Sequence, residues 1–173
     1  MLQKISPNIW KILFKQFGSY VYLIKLEDKN ILIDTSSPEN TKELVNNLKK
    51  LGISKEDINV IVLTHNHPDH VGGISFFPNA KIYGSKEDFK KNVIGIKKLR
   101  IPELIIMNTP GHSKGSICIL YKDVLFSGDT LFHRGTTGRT DLPGSSEKEM
   151  EKSLKKIKKL QYKLLCPGHG TED

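Results

Sequence analysis

The chain has 173 residues, 37% of them hydrophobic and 27% charged, with a formal net charge of +8, a length that fits one domain able to bury roughly 70% of its extended surface. No apolar run reaches the ~20 residues of a membrane span, no repeat or low-complexity tract is present, and the apolar start "IWKILFKQFGSYVYLI" carries Lys11 and Lys15 and lacks a small-residue cleavage site, so neither a spanning segment nor a secretory signal is read and a cytoplasmic protein is expected. The excess charge comes from lysines dispersed over helix faces rather than from an Arg-rich or aromatic-interleaved groove, which argues for a solvated surface and against a nucleic-acid or membrane partner.

In chain order, "YVYLIKL" (20–26) and "NILIDT" (30–35) are two β-prone segments joined by the turn-like "EDKN", a predicted hairpin. "ENTKELVNNLKKLGI" changes to a helical period, with Leu44, Leu48 and Leu51 on one face, Val45 beside them and Gly52 as the stop. "INVIVLT" (58–64) is short and nearly all apolar, as a strand buried on both faces requires. A His-rich loop and a short helix follow. "KIYGS" then reads as a strand, "KEDFKKN" as a helix, and "ELIIMN", "SICILY" and "VLFSGD" as strands. The last helix carries Ser146 and Glu149 as a capping-box signature and Met150, Leu154, Ile157 and Leu160 as its buried stripe, with lysines on its wet side. "YKLLC" closes the strands before "PGHGTED". The two cysteines, Cys118 and Cys166, sit in apolar strand-like segments and read as reduced core thiols. Mixed sheets covered by helices are predicted.

The stretch "LTHNHPDHVGG" (63–73) places three of the six histidines, His65, His67 and His70, within six positions, with Asp69 between the last two. Alternate side chains of an extended segment point the same way, and Pro68 biases His67 towards extended geometry, so His65 and His67 can aim at one ion. Asp69 and His70 begin a new direction, the first turn of a helix, and can aim at a neighbouring ion. Gly72 and Gly73 allow that turn to pack close to a strand. Further polar clusters occupy strand ends, where α/β proteins place their chemistry: "TPGHS" supplies His112, "SGDT" supplies Asp129 and "CPGHG" supplies His169.

The pattern H-x-H-x-D-H, then T-P-G-H-S, then G-D, then a terminal P-G-H resembles the metallo-β-lactamase superfamily over nearly the whole chain, and "SGDTLFHRGTTGRTDLPGS" is similar to its glyoxalase II-like (hydroxyacylglutathione hydrolase-like) branch. The resemblance implies an α/β fold, an αββα four-layer sandwich with two mixed sheets flanked by helices. It implies two divalent ions, zinc first and iron or manganese as alternatives, with His65, His67 and His112 at one, Asp69, His70 and His169 at the other, and Asp129 as the bridge. Asp69 and Asp129 are the candidate catalytic carboxylates. Residues 1–173 are expected to be a single domain without the C-terminal helical domain that helps hold glutathione in glyoxalase II, since four residues follow His169.

Two ions about 3.5–4 Å apart can polarise a carbonyl and lower a water's pKa to roughly 7, and a thiolate leaving group suits such ions, so hydrolysis of a small acyl thioester is expected. Arg139, then Arg134 and His133, are the candidate substrate-binding residues on the loop leaving Asp129, because guanidinium forks match the carboxylates of an acidic thiol carrier. A monomer or small homo-oligomer is expected. The rival from another reaction class is a persulfide dioxygenase holding one iron on His65, His112 and Asp129. A phosphodiesterase or nuclease is a third reading, weakened by the absence of an RNA-gripping insertion.

Overall fold

The computed structural model describes residues 1–170. It divides into two compact units, one formed by Met1–Leu63 with His67–Tyr83, the other by Thr64–Asn66 with the chain from Gly84 onward.

The first unit begins with β1 (Leu2–Ser6) and β2 (Ile9–Ile12), an antiparallel pair, followed by β3 (Val21–Lys25) and β4 (Asn30–Ile33), which form the expected hairpin. The apolar start is thus two strands, β2 and β3, separated by an irregular link across residues 13–20. Helix α1 (Thr41–Lys49) buries Leu44 and Leu48 and is stopped at Gly52, whose φ of +72° costs a glycine no Cβ clash. Its N-terminus is extended by a 3-10 turn at Pro38–Asn40. Strand β5 (Ile58–Val62) adds parallel to β4 and β6 (Lys81–Gly84) parallel to β5, in a mixed sheet ordered as in the sequence; the last strand in that order, β7 (Ile94–Gly95), comes from the segment counted with the second unit. Ile58, Val60, Ile61 and Val62 are all buried, which accounts for an apolar run without alternation. Helix α2 (Pro68–Val71) starts where Pro68 can supply a preset φ at a position needing no N–H.

In the second unit β8 (Leu104–Asn108), β9 (Ile117–Tyr121) and β10 (Val124–Gly128) form an antiparallel meander, with β11 (Leu164–Pro167) parallel to β10. This sheet is also mixed, in the order β11-β10-β9-β8. Helix α3 (Glu147–Ile157) packs on it through Ile157, which joins Cys118, Leu120 and Leu125 in a core cluster flanked by Met107, Leu160 and Leu165. Both cysteines are buried and unbridged, as expected for core thiols.

Two local expectations are corrected. Residues 86–92 are not a helix: a single turn closes from Phe89 N–H to the Ser85 carbonyl, and Asn92 then enters the left-handed region at φ +59°. The Asp88 side chain, which a solvated helix would leave on its surface, instead accepts hydrogen bonds from Ser113 Oγ (2.6 Å) and Gly115 N–H (2.7 Å). The capping box of α3 is half formed. Glu149 N–H donates to Ser146 Oγ at 3.3 Å, but the Ser146 N–H is taken by the Gly111 carbonyl at 2.7 Å, and the Glu149 carboxylate pairs with Lys152.

Among the described residues, no helix is long and apolar enough to cross a membrane.

Candidate metal centre

Four strands deliver the sequence-predicted ligands at their C-terminal ends: β5 leads to His65, β8 to His112, β10 to Asp129 and β11 to His169. All four belong to the second unit, since Thr64–Asn66 is counted with it. The His65 and His112 rings meet edge to face with centroids 4.8 Å apart. Asp129 Oδ2 lies 3.5 Å from His112 Nε2 and 3.7 Å from His169 Nε2. His65 also presents a ring nitrogen within 4.8 Å of an Asp129 oxygen. Phe132 packs edge-on against His169, with ring centroids 6.3 Å apart.

In the first unit His67 caps α2 in extended conformation (φ −101°, ψ 146°), as the following proline demands. Asp69 and His70 sit on the single turn of α2, with Asp69 Oδ2 3.9 Å from His70 Nε2. Gly72 and Gly73 do pack closely: a Cβ at Gly72 would come within 2.3 Å of Pro38, and one at Gly73 within 2.8 Å of the Thr35 carbonyl. The His70 carbonyl in turn accepts from Thr35 N–H at 2.7 Å, tying α2 to the end of β4.

Hydrogen bonds on the far side of the rings select the tautomer of each neutral imidazole. A carboxylate and a carbonyl can only accept, so His70 Nδ1–H donates to Asp34 Oδ2 (2.8 Å) and His112 Nδ1–H donates to the Arg139 carbonyl (2.9 Å). A neutral imidazole protonated at Nδ1 carries a bare lone pair at Nε2. In that tautomer His112 Nε2 and Asp129 Oδ2 are both lone-pair donors, 3.5 Å apart. Two donors bound to a tetrahedral ion at about 2.0–2.1 Å stand roughly 3.3–3.5 Å apart, so the spacing suits a shared cation. His65 Nδ1 completes the pattern with a 3.0 Å hydrogen bond to Thr64 Oγ1. The donor set thus fits divalent metal, with outer partners of the kind that orient metal-binding imidazoles.

Three supporting residues are additional to those read from the sequence. Asp34 orients His70. Asp88 accepts from Asn66 N–H (3.2 Å) as well as from Ser113 and Gly115, so one carboxylate joins the loop after β5 to the loop after β8. Gly138 lets the 131–142 loop pass against His112, since a Cβ there would come within 2.8 Å of His112 Nδ1. Each sits in a segment whose pattern reads as ordinary strand end, helix or loop; an aspartate directly after the apolar "NILI" is the one visible signal.

The candidate substrate-binding residues lie on that same loop. His133 and Arg134 are exposed on a 3-10 turn, with Arg134 at φ +61°. The exposed Arg139 guanidinium makes a two-pronged pair with Asp141, Nε at 2.9 Å and Nη2 at 2.8 Å. That hydrogen-bonded pairing pulls the Asp141 carboxyl down to about 2. Arg139 therefore supports His112 through its carbonyl while its side chain is engaged with Asp141.

Mixed sheets whose strand ends carry clustered, outwardly braced imidazoles and carboxylates define an α/β protein with residue groups able to hold a metal ion. The model of the metallo-β-lactamase superfamily matches residues 15–88 and 89–169, and the chain belongs to this superfamily. A protein of Methanocaldococcus jannaschii named as a probable metallo-hydrolase is 35% identical over 144 residues, covering 81% of this chain and 71% of the relative. Hydroxyacylglutathione hydrolase 1 of Vibrio vulnificus is 35% identical over 156 residues, covering 84% of this chain but 59% of its own length. Among solved structures, TTHA1623, crystallised in a di-iron-bound form, superposes with a TM-score of 0.80 at 25% identity, covering 93% of this chain and 92% of its own. The expected fold class is thereby met.

Proposed function

We propose that the chain is a dinuclear metal-dependent hydrolase of small acyl thioesters. The observation that carries the reading is the position of Asp129 Oδ2, which stands 3.5 Å from His112 and 3.7 Å from His169, two imidazoles that the family pattern assigns to different ions. His65, His67 and His112 would hold the first ion, Asp69, His70 and His169 the second, and Asp129 both. The relative with a di-iron form supports two ions. The hydroxyacylglutathione hydrolase supports a thioester, although the chain spans about three-fifths of that enzyme.

The bound ions would supply Lewis-acid polarisation of a carbonyl and a nucleophilic water at neutral pH. The chain's own groups do the rest. Nδ1 hydrogen bonds to Asp34 and to the Arg139 carbonyl hold His70 and His112 in the tautomer that offers Nε2 outward. Asp69, about one-fifth exposed against one-tenth for Asp129, is the more solvent-accessible carboxylate, and is suited to take a proton from the attacking water. A thiol leaving group has a pKa low enough to depart as thiolate, so no protein acid is required at that step.

A second reading has its own observation. His65, His112 and Asp129 offer ligand atoms pairwise within 4.8 Å inside one unit, the two-His-one-carboxylate set of oxygen-activating iron enzymes. Metal analysis with parallel assays separates the two. The hydrolase reading expects about two equivalents of metal and hydrolysis of S-lactoylglutathione or simpler acyl thioesters. One equivalent of iron, with oxygen uptake on glutathione persulfide and negligible thioester cleavage, would replace it with the dioxygenase.

A further inference from the structure

The second unit contains a cavity of about 660 Å³ whose lining includes none of the seven candidate ligands. One wall is the segment after β6 through β7 and the following 3-10 turn; the other is Asn108–Ser116, the loop that carries His112. Its size falls in the range of about 300–1,000 Å³ usual for small-molecule sites. The two kinds of lining are distinct. Val93 and Ile96 are buried, and with Ile94 and Pro110 they supply apolar surface. The charged lining is Lys86, Lys97, Lys98 and Lys114 against one carboxylate, Glu87. All four lysines are exposed; Lys86 is in addition anchored by donating to the Val93 carbonyl at 2.6 Å.

Apolar surface ringed by ammonium groups selects an anion with an apolar portion. The charge balance narrows it further: four ammonium groups against one carboxylate leave an excess of three positive charges in the lining, which favours a group of higher negative charge such as phosphate over a single carboxylate, and lysine binds phosphate as a point charge. We propose that this cavity holds the carrier portion of the thioester substrate, and that the carrier is a phosphate-bearing thiol rather than a carboxylate-only one. The inference rests on the thioester reading for the word substrate, because a ligand lodged against residues 108–116 lies on the loop that presents His112.

The test uses metal-loaded protein and isothermal titration with three thiols: coenzyme A, which has phosphates, pantetheine, its phosphate-free part, and glutathione, which has carboxylates only. Any contribution of the thiol at the metal is common to all three. The wild type should bind coenzyme A at least about tenfold more tightly than pantetheine, an advantage that shrinks with salt, as expected for ion pairs at a solvated rim. In K97Q/K98Q/K114Q the ratio should fall close to one, and in K97R/K98R/K114R, which keeps the charge, most of it should return. Equal binding of coenzyme A and pantetheine by the wild type, or a ratio unchanged in the glutamine variant, overturns the proposal. So does glutathione binding as tight as coenzyme A and equally sensitive to the three lysines. Hydrolysis is scored separately on the acetyl thioesters of the same thiols. Phosphate-dependent binding without hydrolysis would sink the thioester function and leave the cavity's specificity standing; hydrolysis without phosphate-dependent binding would sink the cavity assignment alone.

Discussion

At the scale of single residues, the most informative contact is the 2.8 Å hydrogen bond from His70 Nδ1–H to Asp34. Loss of an outer-shell partner of this kind lowers metal affinity about 10–100-fold, and that is the expectation for Asp34→Ala, read by competition with a chromophoric chelator. Asp34 occupies φ +59°, where alanine is strained and asparagine tolerated. Asp34→Asn therefore keeps the backbone and a neutral acceptor, and should recover part of the affinity; equal affinity in wild type and both variants would remove Asp34 from the site. Cys118 has a different consequence. Burial pushes its thiol from 9.0 to about 11, against weaker opposing hydrogen bonds from Thr109 and Thr130. The folded state then holds a proton that the unfolded chain releases first. This contribution is complete below about pH 9 and is lost as pH rises through about 11, a span worth about 3 kcal/mol. Urea midpoints should fall over that interval, and fall less in Cys118→Ala; identical slopes in the two proteins would contradict the assignment.

At the scale of elements, two attachments hold the loop after β8. Helix α3 reaches it through Ser146 N–H to the Gly111 carbonyl (2.7 Å) and Ser153 Oγ to the Pro110 carbonyl (2.7 Å). Asp88 reaches it from the segment after β6. Ser146→Ala removes the side-chain cap from Glu149 N–H and should cost about 1 kcal/mol in denaturant unfolding. Asp88→Ala removes an acceptor shared by three donors, of which Ser113 Oγ keeps Ser116 Oγ as a partner, and should cost about 1–2 kcal/mol while also weakening metal binding. A loss of stability with metal affinity unchanged would show that Asp88 serves folding alone. These elements also mark where the sequence could and could not be read. The four strand ends that carry candidate ligands were legible because apolar runs ending in small polar residues produce strands and loops locally. The hairpin β3–β4, α1 and α3 followed from periodicity for the same reason. What escaped depends on partners distant in sequence: "KEDFKKN" has helical composition, yet Asp88 is drawn to residues 66, 113 and 115. Pairing of β1 with β2 was hidden by a short edge strand that has no fully buried residue and little alternation to detect.

For the whole molecule, ions held by groups from many elements act as ligands of the native state only. Binding of that type stabilises by about 2.7 kcal/mol at a free concentration one hundred times the dissociation constant. Dialysis against a chelator should therefore lower the Tm, and zinc, iron or manganese should restore it in order of affinity; a Tm indifferent to chelation and re-addition would argue against ligation by this set. The link from α3 to the 110–112 backbone carries one more implication. Because coupling between two events is reciprocal, a helix that helps hold the His112 loop must itself be held by whatever occupies His112. The amides in the first turn of α3 should consequently exchange with deuterium more slowly in metal-loaded than in metal-free protein, so the outer helix, with its row of lysines, becomes a remote gauge of the centre's occupancy.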